Sequence, residues 1–271
     1  MSNSNLNTDW RKVAAAIYKK PSDAKILGSA ELDVTDMEEF ISRKRQEGLK
    51  ITLTHVFTLI VARGIKEVVP ELNCYIRRGN IVERKQVDAM VSILLADGSL
   101  SSVKVENADQ LNLAECADVL ATSIKDSRAG DENKTMKMKG LVAKIPWPLR
   151  TWIFNFIKFL TVKWGISLPA AGLSSNNFGS FVMTNIGSIG LDTGYPAMFP
   201  ISNVSFVFVL GKTAKKPVVI DDKVVIRRIA TISSAMDHRI ADAMHGGKLF
   251  RYIKQMVKEP ETLTVTPAVQ E

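Results

Sequence analysis

The stretch KPVVIDDKVVIRRIATISSAMD, residues 216–237, limits the fold more than any other, because two β-type apolar runs flank a polar Asp-Asp pair. This pattern predicts a β-hairpin. Further strands are predicted at 25–34, 74–77, 81–84, 88–95, 99–105, 179–185 and 204–212, and helices at 10–20, 35–48, 52–73, 112–130, 149–164 and about 242–258. With no proline- or glycine-rich linker between these elements, the sequence predicts one compact α/β unit over residues 1–271.

Composition places the chain among globular proteins that build a core without disulfides or metals. Of its 271 residues, 46% are hydrophobic and 24% are charged, as in ordinary soluble domains. Cys74 and Cys116 lie in apolar runs without metal-type spacing, so we expect reduced core thiols. The polar N-terminus lacks a secretory signal, and no apolar run approaches the length of a membrane span. These features favour a cytoplasmic protein.

Local signals place two of the helices. Thr35 and Glu38 have the spacing of a capping box at the start of helix 35–48, and Gly48 follows its end. His55 lies on the strongly apolar helix 52–73, where we expect a packed structural histidine.

The positive charge is concentrated in one part of the chain. The formal net charge is +8, and residues 133–191 contain no acidic side chain. Such a field favours phosphates, acidic proteins or an anionic lipid surface, although a solvated basic face has the same composition. Helix 149–164 has a narrow polar stripe (Thr151, Asn155, Lys158) and predicts burial against protein or at a membrane interface. No nucleic-acid recognition motif accompanies the charge.

The segment SSAMDHRIADAMHGG, residues 233–247, contains two of the three histidines. His238 follows a predicted strand, where an imidazole is suited to take a proton near neutral pH. Asp242 has the position of a helix N-cap. His238, Asp242 and His245 would share a helical face and suit a metal, but a helix beginning between His238 and Asp242 would separate them. A structural histidine, a metal ligand and a catalytic base all remain open from spacing alone.

The segment TNIGSIG, residues 184–190, follows another predicted strand. Its glycines do not form the GxGxxG pattern of dinucleotide loops. A tight turn there can present the Thr184 hydroxyl and nearby amides to a ligand, and an ordinary β-turn fits equally well.

The two segments together resemble the catalytic domain of the dihydrolipoyl acyltransferases of 2-oxoacid dehydrogenase complexes. FVMTNIGSIG is followed about fifty residues later by ATISSAMDHRIADAMHGGKLFRYIKQMVKEPETL, and the resemblance covers about residues 10–130 and 178–265. It implies a chloramphenicol acetyltransferase-like fold, which is an α/β fold with a mixed β-sheet and flanking helices.

The resemblance also implies roles for individual residues. His238 matches the histidine that deprotonates the acyl acceptor, Thr184 the hydroxyl that stabilises the oxyanion, and Asp242 an aspartate that organises the site. Asn185, Gly187 and Arg239 beside them are the predicted substrate-binding residues. Acyl-CoA is implied as a co-substrate, with no bound cofactor and no metal, and the family implies a homotrimer or a larger trimer-based assembly.

Four departures from the family shape the functional expectation. Ala243 replaces the glycine of the family's DHRxxDG motif, and PSDAK stands where the family has a Pro-His pair. No lipoyl or subunit-binding domain is evident. The basic aromatic segment 133–177 is an insert. We therefore expect a free-standing acyl-CoA-dependent acyltransferase with an unidentified thiol, hydroxyl or amine acceptor. The alternative is a non-catalytic trimeric binding or assembly module. The insert is a candidate contact for CoA phosphates, an acyl carrier protein or an anionic membrane surface. The last of these would place a cytoplasmic protein at the periphery of a membrane.

Overall fold

A computed structural model describes residues 24–94, 100–128, 146, 149–167, 178–198 and 202–267. The helix predicted at 10–20 and most of the insert at 133–177 lie outside the described residues. Within the described residues, no helix is both long enough and apolar enough to span a bilayer.

The described elements follow the predicted order. They are β1 (Lys25–Asp33), α1 (Thr35–Gln46), α2 (Leu53–Glu67), β2 (Cys74–Arg77), β3 (Asn80–Glu83), β4 (Ala89–Leu94), β5 (Leu100–Val105), α3 (Leu113–Arg128), α4 (Leu149–Lys158), β6 (Phe181–Asn185), β7 (Phe206–Ile220), β8 (Lys223–Asp237) and α5 (Ala243–Met256). Short 3-10 turns follow α2, β6 and α5, and a π-turn, Phe159–Lys163, continues α4.

Six strands form one mixed sheet in the order β1-β8-β7-β6-β4-β5. Strand β6 runs parallel to both β4 and β7, and the other neighbours are antiparallel. Strands β2 and β3 form a separate two-stranded ribbon. The prediction of a mixed sheet with flanking helices is confirmed.

Helix α2 packs its apolar surface against one face of the sheet. The Phe57 ring on α2 stacks on Phe208 of β7 with ring centroids 5.6 Å apart. Neighbouring strand positions Val207 and Val209 point to the opposite face and form a second, smaller apolar cluster, as the period of two in a strand requires. The sheet is therefore apolar on both faces, with its larger core beneath the helices.

Both cysteines are free and buried, as predicted. Burial is the main cause that raises the pKa of each thiol, Cys74 and Cys116, to about 12. Neither thiol is ionised near neutral pH, so both serve as small core side chains.

The predicted capping box of helix α1 is wrong. The Thr35 hydroxyl donates to Asp33 Oδ1 at 2.6 Å instead of capping a helix amide. The Glu38 carboxylate pairs with Arg228 of β8 at 2.7 Å. Both side chains are thus used to fasten the helix to the sheet, and this tertiary contact outweighs the local signal.

His55 is a structural histidine, as expected, and it caps its own helix. Its Nδ1 accepts a hydrogen bond from the Thr52 backbone N–H at 3.2 Å and lies 2.8 Å from the Thr52 hydroxyl. Burial, helped by the charge of Arg45, lowers the His55 pKa to about 4. The ring is therefore neutral in the folded protein at pH 6, where an unfolded histidine is largely protonated.

This difference makes His55 a source of acid instability. Stability is lost as pH falls from about 6.5, where the unfolded histidine protonates, to about 4, where the folded one does. His55→Gln keeps a capping acceptor without titrating. We expect urea unfolding to show wild type losing about 3 kcal/mol more than His55→Gln between pH 7 and pH 4. Equal losses would contradict this role of His55.

Strands β7 and β8 extend past their neighbours as a two-stranded arm. The pairing of β8 with β1 begins at Ile229. Among the described residues, no third strand pairs with the β7–β8 hairpin between Lys215 and Arg228. The predicted turn across Asp221 and Asp222 is confirmed, with φ values of 48° and 60°. Two left-handed residues match the turn to the twist of the strands.

The two faces of this arm differ in chemistry. One face carries Lys216 and Arg227, which form ion pairs with Glu31, Asp33 and Asp36 beside the sheet. The other face is apolar and open to solvent, with Val219, Val224 and Ile226 each at least 70% exposed and Pro217 beside them. A two-stranded ribbon with an uncovered apolar face is marginally stable in water.

Candidate active site

His238 lies in a tight turn between β8 and α5. The Asp237 carbonyl accepts the backbone N–H groups of Ile240 and Ala241, at 2.9 and 3.0 Å. The His238 backbone N–H is held by the Ala24 carbonyl at 2.8 Å. The helix begins only at Ala243, so His238 precedes it, as the sequence suggested. The imidazole is therefore held on a fixed turn and remains about one third exposed.

The contacts of the imidazole determine its tautomer. His238 Nδ1 lies 3.1 Å from the Ala241 carbonyl oxygen and 3.3 Å from Asp242 Oδ1. A carbonyl oxygen and a carboxylate oxygen both accept hydrogen bonds, so Nδ1 carries the proton of the neutral ring. The lone pair is then on Nε2, which is the arrangement that a general base requires.

Arg239 forms a buried fork with Asp237, a partner that the sequence pattern did not reveal. Its Nε donates to Asp237 Oδ1 at 2.8 Å, and a second guanidinium nitrogen donates to Oδ2. The two side chains are only 11% and 4% exposed. A bidentate pair of this kind fixes the residues on both sides of His238. This geometry favours a positioning role, while substrate binding by Arg239 stays a prediction.

His245 takes part in a capping box rather than in a metal site. Its Nδ1 accepts the Asp242 backbone N–H at 2.9 Å, which leaves Nε2 protonated and 3.8 Å from a Glu71 carboxylate oxygen. Within the described ranges, no group of three or more His, Cys, Asp or Glu side chains could hold a metal ion. The lone pair that a metal would need on His245 Nδ1 is already used.

Ala243 stands at the first position of α5, after Asp242 as N-cap. The backbone φ angle of Ala243 is not positive. A helical φ is as suitable for alanine as for glycine, so the local backbone does not require the family's glycine.

Thr184 and Asn185 end strand β6, and the turn after them packs closely on β7. The Asn185 amide donates to the Thr54 hydroxyl at 3.0 Å, and its oxygen accepts from Ser188 N–H at 3.2 Å. A side chain at Gly187 would place its Cβ 2.7 Å from the Gly211 carbonyl oxygen. Glycine is therefore required where the turn approaches the neighbouring strand.

A cleft of about 230 Å³ opens beside this turn. Predicted binding residues Asn185 and Gly187 line it, together with Leu53, Lys212 and Arg228. Sequence reasoning missed Thr54, Lys212 and Arg228, because they come from distant segments that only the fold brings to the turn.

Within one chain the structure does not bring His238 and Thr184 together. Thr184 pairs with Val209 on β7, and Val209 pairs with Ser233 on β8. His238 lies five residues beyond Ser233. At about 3.3 Å per residue and 4.8 Å per strand, the two α-carbons are about 19 Å apart. The base and the hydroxyl of one chain are therefore too far apart to act on the same atom.

The chain has the chloramphenicol acetyltransferase-like fold. Chloramphenicol acetyltransferase itself superposes with a TM-score of 0.51 and 11% identity, covering 95% of this chain and 98% of that one. The predicted fold is confirmed. Residues 173–265, which include β6, the TNIG turn, the arm and the His238 turn, match the family described as 2-oxoacid dehydrogenases acyltransferase (catalytic domain).

Individual proteins similar to this chain are acyltransferase components of 2-oxoacid dehydrogenase complexes. The succinyltransferase component of the 2-oxoglutarate dehydrogenase complex of Rickettsia conorii is 25% identical over 226 residues, covering 83% of this chain but only 46% of the relative. A probable dihydrolipoamide acetyltransferase of Listeria monocytogenes superposes with a TM-score of 0.65 at 20% identity, covering 92% and 88% of the two chains. The cubic core of a pyruvate dehydrogenase complex gives 0.65 at 14% identity, covering 94% and 88%. The resemblance to the dihydrolipoyl acyltransferases is confirmed, and the chain spans about half the length of these curated relatives.

Proposed function

We propose that this chain transfers an acyl group between coenzyme A and a thiol, with His238 as the general base. The observation that carries the proposal is the His238 turn, in which two acceptors hold the Nδ1 proton and leave the lone pair on Nε2. Asp242 organises this turn by capping α5 and facing the imidazole. The match of residues 173–265 to an acyltransferase catalytic domain supports the reaction class.

The proposed chemistry needs one base and one oxyanion donor. His238 Nε2 takes the proton of the acceptor thiol, and the thiolate attacks the acyl-CoA carbonyl. The Thr184 hydroxyl donates a hydrogen bond to the oxygen that becomes negative. When the tetrahedral intermediate collapses, the CoA thiolate leaves and receives the proton from the imidazolium. No metal takes part, and no covalent acyl-enzyme is needed because both substrates meet at His238.

The site is proposed to form between two copies of the chain. A separation of about 19 Å prevents one copy from placing His238 and Thr184 on the same carbonyl. A neighbouring copy in a trimer can supply Thr184, and the uncovered face of the β7–β8 arm is a suitable contact for it. The similarity to a chain from a cubic core supports this arrangement, since cubic assemblies contain three-fold axes.

The acceptor class follows from the relatives. Several similar curated proteins are named dihydrolipoyllysine-residue succinyltransferases or acetyltransferases. We propose a dihydrolipoyl thiol as the acceptor, in place of the thiol, hydroxyl or amine left open by the sequence. The cleft beside Asn185 and Gly187 is proposed to bind substrate, with Lys212 at its rim favouring an anionic group such as a CoA phosphate.

Release of free coenzyme A tests the activity. A panel of acyl-CoA thioesters is supplied with dihydrolipoamide, and wild type is compared with His238→Ala. Loss of the general base is expected to slow acyl transfer by about 10²–10⁴-fold, with product identity checked by chromatography. Equal rates for the two proteins would exclude His238 as the base. No transfer by an intact wild-type trimer would instead favour the non-catalytic module.

Changing the arm tests the assembly. Val224→Lys with Ile226→Lys places two charges on the apolar face of the arm, where each residue is more than 70% exposed in the isolated chain. We expect light scattering to show the variant as a monomer without loss of secondary structure, because burying unpaired charges at an interface is costly. Val265→Lys, at another exposed apolar position, is expected to remain trimeric. A trimeric double variant would contradict the contact.

A further inference from the structure

Helix α4 presents its apolar face to solvent, which is the reverse of a packed surface helix. Leu149, Trp152, Ile153 and Phe156 lie along one side and line a shallow, almost wholly apolar groove. Trp152 is 78% exposed, and Leu149 and Phe156 are each 58% exposed. An apolar patch of this kind marks a binding surface rather than a core.

The fold holds this helix by its C-terminal end only, as far as the described residues show. The π-turn after α4 is buried at Thr161 and Val162, and the Lys163 carbonyl accepts the Arg78 backbone N–H at 3.0 Å. The Arg78 guanidinium lies 5.5 Å from the centroid of the Trp164 ring. The helix is about 15 Å long and is anchored at its C-terminal end.

The charges around the projection are positive. Lys158 lies on the polar side of α4 with Thr151 and Asn155, and Lys163, Arg77 and Arg78 surround its base. No acidic residue occurs anywhere in residues 133–191. Trp, Phe and Leu on one face with lysine on the other is the pattern of helices that lie in a bilayer interface.

We propose that α4 docks this protein onto an anionic phospholipid surface. Leu149, Trp152, Ile153 and Phe156 enter the boundary between headgroups and acyl chains, while the four cations contact lipid phosphates. An acidic protein would satisfy the cations but leave the apolar row without a partner, so the bilayer accounts for more of the surface. The proposal concerns location and is independent of the proposed acyl transfer.

Vesicle co-sedimentation of the full chain tests the proposal. We expect binding to vesicles with about 30% phosphatidylglycerol and at least tenfold weaker binding to pure phosphatidylcholine. Trp152→Asp with Phe156→Asp is expected to reduce binding at least tenfold. Lys158→Gln with Lys163→Gln is expected to reduce it about 25-fold, since each cation contributes about fivefold. Val265→Asp, at a distant exposed apolar position, is the matched control and should bind as wild type does.

Three results would overturn the proposal. Wild type failing to bind anionic vesicles would do so directly. Vesicle binding that is unchanged by Trp152→Asp with Phe156→Asp would indicate charge attraction alone, as for an acidic partner. A change of oligomer size, or a lower melting temperature, in that same variant without lipid would show that a second copy or another part of the chain covers the helix.

Discussion

Mixing a His238→Ala chain with a Thr184→Ala chain is expected to restore acyl transfer that neither variant has alone. The reason is the separation of about 19 Å between the two residues in one chain, which requires each site to use two copies. Alone, Thr184→Ala is expected to lose about 10²–10³-fold in rate. In a mixed trimer, one site of the three combines an intact His238 with an intact Thr184, so the rate per mixed trimer should reach about one third of wild type.

Two differently tagged variants, coexpressed and purified through both tags, provide the mixed trimers. The control is a chain carrying both substitutions, coexpressed with wild type. There, trimers with two wild-type chains keep one intact site in three and trimers with one wild-type chain keep none, so an equal mixture is expected to have about one sixth of wild-type activity. A mixed His238→Ala and Thr184→Ala trimer as inactive as its parents, beside an active control, would contradict the shared site.

The sequence predicted most strands and helices, their order along the chain and the position of His238 before α5 because these depend on local patterns, whereas the mixed sheet came from the family resemblance. Alternating apolar residues define β7 and β8, and a polar Asp-Asp pair marks their turn. Asp242 is a strong N-cap residue, so the helix begins after it and His238 lies before the helix. Each of these features is decided within a few residues, where propensity and spacing are informative.

Features decided by tertiary contacts could not be predicted in this way. The Thr35 and Glu38 capping box is absent because the sheet supplies better partners, Asp33 and Arg228. Helix α4 is predicted to be buried against protein or at a membrane interface, and its apolar face is exposed within the single chain. Thr54 holds Asn185 across 131 positions of sequence, a contact that has no local signal. The positions where local rules fail lie near the proposed sites, as is usual in proteins.

The separation of His238 from Thr184 is likewise a property of strand direction. His238 follows the last residue of β8, and Thr184 lies one residue before the end of β6. Strands β6 and β8 run in opposite directions, since β6 is parallel to β7 and β8 is antiparallel to it. The C-terminal end of β8 therefore lies at the level of the N-terminal end of β6, which a list of motifs does not reveal.

Replacing Arg239 by methionine is expected to cause the largest loss of stability among single side-chain changes at the His238 turn. The Asp237 carboxylate is 4% exposed and would lose its ion-pair partner, the Arg239 guanidinium. An uncompensated buried charge costs about 3–5 kcal/mol. Urea unfolding at pH 7 measures this loss, and adding Asp237→Asn to Arg239→Met should recover most of it because no buried charge is then left unpaired.

Arg227→Met is the matched control. Two guanidinium nitrogens of Arg227 also contact aspartates, namely Asp33 and Asp36, but this side chain is more exposed than that of Arg239. Exposed pairs contribute about 0–1 kcal/mol, so this variant should lose far less stability than Arg239→Met. Similar losses for the two variants would show that burial does not distinguish them. A large loss only at Arg239, with recovery in the double variant, would identify the fork as the element that holds His238 in place.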